Sequence, residues 1–202
     1  MKWNPFKRKT APADVLSTLR AIPSLTQADR EFILSGVESI VTCDDFRSYD
    51  TEYVMGLAFT ADLKNVALLR KKEPVWRAGK MDGLGGRVEE GETPEIAMVR
   101  EFAEEGGVAT NADQWIYFMD KIGERDQAKT GQKESYRVRC YCTVVAELPE
   151  EREIEEGFIL RATVNSIYPG RSDVIDNIPF TVALAHCVLV GGKPLHTTAR
   201  YS

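Results

Sequence analysis

The fold is decided by one stretch of the chain, residues 83–108, which reads GLGGRVEEGETPEIAMVREFAEEGGV. Its second half predicts a helix over about residues 94–105, closed by two glycines. Thr93 suits the N-cap position, and Pro94 suits the first helical position because its missing N–H has no helical partner there. With about 100° between successive residues, the apolar side chains share one half of this helix. They are Ile96, Met98, Val99, Phe102 and Ala103.

Three glutamates lie on the opposite side of this predicted helix. Glu101, Glu104 and Glu105 follow an i, i+3, i+4 spacing, so they share an arc of about 100°. Like charges at this spacing destabilise a bare helix. The arrangement becomes favourable when a hard divalent cation lies among them, because Mg²⁺ and Mn²⁺ bind carboxylate oxygens. The alternative interpretation is an acidic face that only meets solvent.

Neighbouring residues favour a site over a solvated face. Arg100 can pair with Glu104 one turn later and fix its orientation. The segment 84–86, Leu-Gly-Gly, lets the backbone approach the helix closely, so its carbonyl or N–H groups are available to a metal or a phosphate. Glu92, just before the cap, is placed to hold this loop against the helix.

The spacing of these residues resembles the Nudix box, Gly-x5-Glu-x7-Arg-Glu-U-x-Glu-Glu-x-Gly-U, where U is a bulky apolar residue. All of its fixed positions match, and Phe102 and Val108 occupy the U positions. The matching residues are Gly86, Glu92, Arg100, Glu101, Glu104, Glu105 and Gly107. The box covers 23 residues, 86–108. A weaker resemblance in the order of strands and helices extends over 52–190.

The resemblance implies an α/β Nudix fold, with a mixed β-sheet sandwiched between α-helices. It also implies Mg²⁺- or Mn²⁺-dependent hydrolysis of a nucleoside diphosphate linked to another moiety. Carried over by position, Glu101, Glu104, Glu105 and the Gly86 carbonyl would bind metal. Arg100 and Glu92 would support the acids, and the catalytic candidates are Glu104, Glu105 and Arg100. An acid outside the box is the alternative proton acceptor; the candidates are Glu153, Glu155 and Glu156.

The box does not specify the moiety that is linked to the nucleoside diphosphate. Residues 76–87 are similar to the substrate-access loop of Nudix nucleoside triphosphate pyrophosphohydrolases, including those that remove oxidised purines. Lys80 and Arg87 are the expected phosphate contacts. Trp76 is the expected residue for stacking on the base. Trp115 and Tyr117 can also stack on it, and for all three aromatic residues the alternative is packing in the core. Triphosphate cleavage to monophosphate and pyrophosphate is the first expectation. ADP-ribose or a dinucleotide such as NADH or diadenosine polyphosphate is the second. A non-catalytic nucleotide sensor is the third, and the intact acids argue against it.

Outside the box, the pattern divides the chain into an N-terminal extension, residues 1–51, and a hydrolase domain, residues 52–202. The extension begins as a basic arm and predicts helices at 13–21 and from Thr26, the second with an apolar stripe ending at Ile40 and Val41. A homodimer contact, a lid and packing on the core all remain open for it. The domain predicts strands at 53–60, 66–70, 114–122 and 135–146, loops at 71–91 and 123–134, an acidic stretch at 149–156 and a closing helix at 177–190.

Composition bounds the partners. The chain is 43% hydrophobic and 28% charged, which is typical of globular proteins. Its formal net charge of −5 disfavours binding of duplex nucleic acid, which depends on neutralising phosphates, but not of a small nucleotide. No apolar run is long enough to span a bilayer. The four cysteines form no CxxC pair, which indicates free thiols and a cytoplasmic protein.

Overall fold

The computed structural model describes residues 27, 40–41, 49–75, 77–126, 131–168, 170–191 and 197–201. Apart from the single helical residue Gln27, the described residues form nine strands and two α-helices. In chain order these are β1 (Ile40–Val41), β2 (Thr51–Phe59), β3 (Asn65–Lys71), β4 (Met81–Asp82), α1 (Pro94–Gly106), β5 (Ile116–Asp126), β6 (Lys133–Val144), β7 (Arg152–Glu153), β8 (Gly157–Thr163), α2 (Ile178–Leu189) and β9 (Thr197–Tyr201).

The strands form one mixed sheet in the order β1-β9-β5-β6-β2-β3-β8-β7, and β4 pairs with β3 beside this path. The pairs β2–β6 and β5–β9 are parallel, and the other pairs are antiparallel. Alternate side chains of a strand point to opposite faces, so each face of β2 supplies a different core. Met55 and Leu57 pack on the α2 side, whereas Val54 and Ala58 pack on the α1 side. The predicted α/β fold, a mixed sheet between helices, is confirmed.

The glycine-rich loop after β4 extends the sheet beside the first half of β2. The N–H of Val54 donates to the Gly86 carbonyl at 2.8 Å, and the N–H of Gly56 donates to the Leu84 carbonyl at 2.7 Å. This pairing fills the edge that β3 leaves open, because the β2–β3 ladder is registered only at Phe59. The loop therefore runs flat along the sheet and passes directly beneath α1.

Several strand boundaries differ from the expectation. Both ends of the charged segment 123–134 are strand and not loop: β5 continues to Asp126, β6 begins at Lys133, and Arg125 pairs with Glu134 across the ladder. A β-ladder is built from backbone groups, so polar residues extend a hairpin beyond the core. Strands β4, β7, β8 and β9 lie where the sequence predicts no strand.

The N-terminal expectation is wrong at its end. Ile40 and Val41 form β1, paired antiparallel with β9, and do not continue a helix from Thr26. The basic arm, the helix at 13–21 and most of the second predicted helix lie outside the described residues. In the parts of the chain that are described, no helix has the length and apolar character needed to cross a bilayer.

Candidate active site

Helix α1 carries the box acids and is capped at both ends. The Thr93 side chain accepts a hydrogen bond from the N–H of Ile96 at 3.3 Å, and Gly107 ends the helix in the left-handed conformation with φ 69°. Met98 and Phe102 are fully buried against the sheet, as the periodicity predicts. Ile96, which is 53% exposed, and Ala103, which is also exposed, are the exceptions within the predicted apolar half.

Arg100 is the centre of the polar network on this helix. Its Nε donates to Glu92 at 3.0 Å, and its Nη1 donates to Glu101 at 3.0 Å and Glu104 at 3.1 Å. Its Nη2 donates to the Arg87 carbonyl at 3.0 Å, so one guanidinium joins the helix to the loop. These bonds lower the pKa of Glu92 and raise that of Arg100. The predicted Arg100–Glu104 pair and the predicted bracing role of Glu92 are both present.

Glu105 is the buried acid of the set, with 5% of its surface exposed. Its Oε2 accepts the N–H of Gly85 at 2.7 Å, and its Oε1 lies 3.8 Å from the Lys71 ammonium. Burial raises the pKa of Glu105 to about 7, and Lys71 and the Gly85 N–H oppose the shift. Burial likewise raises the pKa of Glu101. The helix therefore presents two sequestered carboxyl groups and, in Glu104, a third that is 61% exposed.

Two glycines allow the loop to lie this close to its neighbours. A Cβ on Gly85 would lie 2.3 Å from the Val54 carbonyl oxygen, and the φ of Gly85 is +141°. A Cβ on Gly86 would lie 2.3 Å from Oε1 of Glu101. The backbone of Gly86 and the carboxylate of Glu101 are thus in direct contact, without a side chain between them.

A family model for the NUDIX domain matches residues 52–172, which is more than half of the chain. The chain belongs to the NUDIX family. It is a pyrophosphohydrolase of that family, and the described geometry contains every fixed residue of the family's box.

Solved structures of other NUDIX proteins share the fold. A mutator MutT protein from Bacillus halodurans aligns with a TM-score of 0.56 at 18% identity, over 75% of this chain and 90% of its own. The NUDIX domain of Shewanella oneidensis NrtR, complexed with ADP ribose, gives 0.52 at 14% identity, over 82% and 98%. A NUDIX hydrolase from Nitrosomonas europaea gives 0.51 at 12% identity, over 77% and 80%. At these identities the likeness shows the fold alone.

The donor set of this NUDIX box fits a hard cation. Within the described ranges, no three His, Cys, Asp or Glu side chains are gathered closely enough to hold a metal by side chains alone. The box acids instead bond to Arg100, Lys71 and Gly85. The atoms that these acids can offer to a metal are all oxygens, which Mg²⁺ and Mn²⁺ prefer as ligands. The Gly86 carbonyl oxygen accepts one hydrogen bond, from the N–H of Val54, and keeps a second lone pair. The direct contact between Gly86 and Glu101 brings this carbonyl-bearing residue and a carboxylate together.

The predicted substrate contacts, unlike the box acids, lie in several different places. Lys80 lies on the hairpin before β4, where its carbonyl accepts the N–H of Lys71 at 3.0 Å. Arg87 is exposed at the first variable position of the box. Trp76 lies outside the described residues. Trp115 is buried edge-on against Phe102 with 5.0 Å between ring centroids, so its alternative role as core is correct.

Sequence reasoning missed two lysines of this NUDIX domain. Lys71 ends β3 and reaches Glu105, a contact that depends on sheet pairing and leaves no local signal. Lys121 is 5% exposed on the α2 face and donates to Oδ1 of Asn177 at 3.0 Å and to the Met55 sulfur at 3.4 Å. A single lysine inside the apolar run of β5 was the available signal for it.

Proposed function

We propose that this NUDIX enzyme hydrolyses a nucleoside triphosphate to the monophosphate and pyrophosphate, with Mg²⁺ or Mn²⁺ held by Glu101, Glu104, Glu105 and the Gly86 carbonyl. The observation that carries the proposal is the single network in which Arg100 joins Glu101, Glu104 and the box loop. A bound metal would neutralise phosphate charge, orient water and stabilise the leaving group. The residues of the chain supply the frame for that chemistry.

Glu104 is the first choice for taking a proton from water. Its carboxylate is 61% exposed and is bound only by Arg100 among the bonds described, so water can reach it. Glu105 is the second choice, because its oxygens are already engaged by Gly85 and Lys71. A proton acceptor must lie within hydrogen-bonding reach of its donor, which favours the accessible carboxylate.

Among the acids outside the box, Glu156 is the best supported. Its carbonyl accepts the N–H of Lys72 at 3.0 Å, which places the turn between β7 and β8 beside the end of β3. Its charge is near enough to Glu105 to contribute to the raised pKa of that group. Glu153 is instead paired with the Lys72 ammonium at 2.8 Å. We therefore assign the outside acid to Glu156.

The triphosphate preference rests on the basic loop around the box. Lys80 and Arg87 flank the loop that ends at Gly86, and both suit the oxygens of an extended phosphate chain. Trp76 stays the proposed stacking residue for the base.

ADP-ribose is the second candidate substrate. A NUDIX domain of the same fold is complexed with ADP ribose, and its alignment covers 82% of this chain. A dinucleotide such as NADH presents the same pyrophosphate bond. Both would leave the box acids in the same roles and change only the contacts beyond Lys80 and Arg87.

The experiment is a substrate panel with the full chain in Mg²⁺ and in Mn²⁺, with products separated by chromatography. It contains unmodified and 8-oxo nucleoside triphosphates, ADP-ribose, NADH and a diadenosine polyphosphate. Monophosphate plus pyrophosphate from triphosphates supports the proposal. Preferred cleavage of ADP-ribose or a dinucleotide would change the assigned substrate and leave the assigned metal site unchanged. Binding without hydrolysis of any member would overturn the enzyme assignment in favour of a nucleotide sensor.

The remaining proposals concern the setting of the domain. Cys140, Cys142 and Cys187 are buried free thiols, which suits the proposed cytoplasmic location. The division between the extension and the hydrolase domain at residues 51 and 52 stays a prediction, as does a homodimer formed through the extension. Light scattering on the full chain tests the homodimer, and limited proteolysis tests the division.

A further inference from the structure

The C-terminal end of α1 is electrostatically unfavourable by itself. Glu101, Glu104 and Glu105 lie in its last turns, and the last turn contains no basic residue. The carbonyl groups at a helix C-terminus lack helical partners and carry the negative end of the helix dipole. Arg100 already pairs with Glu101 and Glu104, and Lys71 lies near Glu105, so the terminal carbonyl groups of the helix are what still need positive charge from elsewhere in the fold.

Arg152 of β7 supplies that charge. Its Nη2 donates to the main-chain carbonyl of Glu105 at 2.8 Å. Its guanidinium also lies against the helix cap, because a Cβ built on Gly107 would be 2.7 Å from Nη1 of Arg152. The left-handed glycine thus ends the helix and leaves the space that this arginine occupies.

The same short hairpin is tied to the strand that contacts the Glu105 side chain. Glu153, the next residue of β7, pairs with Lys72 at 2.8 Å, and Lys72 Nζ also donates to the Ile154 carbonyl at 3.0 Å. Lys72 follows Lys71, whose ammonium lies 3.8 Å from the Glu105 carboxylate. Glu105 is consequently held through its main chain by β7 and through its side chain by β3.

We propose that Arg152 is a positioning residue, which fixes the last turn of α1 and so sets the Glu105 carboxylate for divalent metal binding. The inference rests on the proposed metal-dependent function. It assigns to a residue outside the box a role that acts through the Glu105 backbone. Partners that orient a metal ligand are typically worth about ten- to a hundredfold in metal affinity or activity.

The test compares Mn²⁺ affinity, measured by electron paramagnetic resonance, in full-length wild type and variants. Arg152→Met should raise the Mn²⁺ dissociation constant about tenfold or more, and should raise the Mg²⁺ concentration for half-maximal hydrolysis in parallel. Arg152→Lys keeps the charge and should fall between wild type and Arg152→Met. Arg161→Met is the matched control. Arg161 likewise donates to main-chain carbonyl groups, those of Pro149 at 3.0 Å and Leu148 at 2.8 Å, but these belong to a loop and not to α1.

The outcomes separate this inference from the proposed function. A weaker Mn²⁺ affinity in both Arg152 variants, with Arg161→Met near wild type, supports the positioning role. Unchanged affinity in folded Arg152→Met overturns it, whatever the change in melting temperature. If Arg152→Met does not fold, the test rests on Arg152→Lys. An Mn²⁺ affinity equal to that of wild type in both Arg152→Lys and Arg161→Met then overturns the positioning role. If the wild-type protein binds Mn²⁺ but hydrolyses no substrate, the proposed function is refuted and the positioning role is not. If the wild-type protein binds no Mn²⁺, both are refuted.

Discussion

The two helices that cover the sheet are held in opposite ways. Helix α2 buries nine of its twelve residues, and its N-terminal Asn177 makes no side-chain cap bond. Helix α1 buries five of its thirteen residues. Thr93 caps its start, and Arg100 and Arg152 join its middle and its end to the box loop and to β7. Burial of apolar surface is non-directional, whereas hydrogen bonds and ion pairs fix orientation.

The difference separates stability from chemistry. Helix α2 can shift slightly and still exclude water from the core beneath it. Helix α1 must hold its carboxylates at set positions, so its polar ties act on geometry more than on the free energy of unfolding. Substitutions in α2 should therefore lower stability and spare turnover, and substitutions around the acids of α1 should do the reverse.

The largest expected effect is on turnover. Glu104→Gln removes the accessible carboxylate and should lower kcat about a hundredfold or more, the usual contribution of a positioned proton acceptor. Because Glu104 is mostly exposed, the free energy of unfolding should change by no more than about 0.5 kcal/mol. Steady-state kinetics and denaturant unfolding measure the two effects. Glu90→Gln, at an exposed and unspecified position of the box, is the control, and turnover equal to wild type in Glu104→Gln would refute its role.

The matching change in α2 is Leu184→Ala. Leu184 is 3% exposed in the α2 core, and its truncation should reduce the free energy of unfolding by about 2–5 kcal/mol. The kcat of the folded fraction should stay near that of wild type. Denaturant unfolding with kinetics at low temperature checks both values. Val190→Ala, 59% exposed at the end of the same helix, should be neutral. A large fall in kcat for folded Leu184→Ala would contradict the separation.

Gly86→Ala tests the contact between the loop and the acid. The added Cβ would lie 2.3 Å from the Glu101 carboxylate, so one of the two must move. A misplacement of this size should cost about ten- to a hundredfold in kcat. Gly91→Ala adds a methyl to the same loop where no atom lies within 4 Å, although its φ is +81°. It should reduce the melting temperature slightly and leave kcat unchanged. Equal kinetics in both variants would show that crowding at Gly86 is unimportant.

The smallest expected effect is at the helix start. Thr93→Ala removes the N-cap bond to Ile96 and should cost about 1 kcal/mol of unfolding free energy, with kcat unchanged. Thr93→Ser keeps the hydroxyl group and should restore most of the loss. Thermal unfolding measures both. A fall in kcat without a fall in stability would mean that the start of α1 also positions the acids.

The sequence predicts α1 and its network well because these contacts are local. Arg100 and Glu104 are one helical turn apart, and Glu92 lies in the adjoining loop, so spacing alone brings them together. Lys71 and Arg152 could not be found in this way. Each reaches Glu105 only after strands distant in sequence have paired, and no local pattern encodes that pairing.

Strand limits show the same division. The continuous apolar run of β2 is a clear local signal, and the strand predicted at 53–60 is found at Thr51–Phe59. The polar ends of β5 and β6 have no such signal, because Arg125 and Glu134 become a pair only when the ladder is complete. Ile40 and Val41 fit a helical stripe by spacing, yet they pair with β9 near the other end of the chain.

The pairing of β3 has a consequence for how the enzyme is made. Strand β3 meets β2 at a single registered position but meets β8 along its whole length, from Asn65–Thr163 to Lys71–Gly157. A nascent chain that has emerged only as far as Val108 holds every residue of the box and lacks β5 to β9, among them β8, the strand that pairs with β3 along its length. Closing so long a segment delays assembly. During synthesis the box should therefore stay inert until β8 leaves the ribosome, and any metal in the cell would meet an unformed site until then.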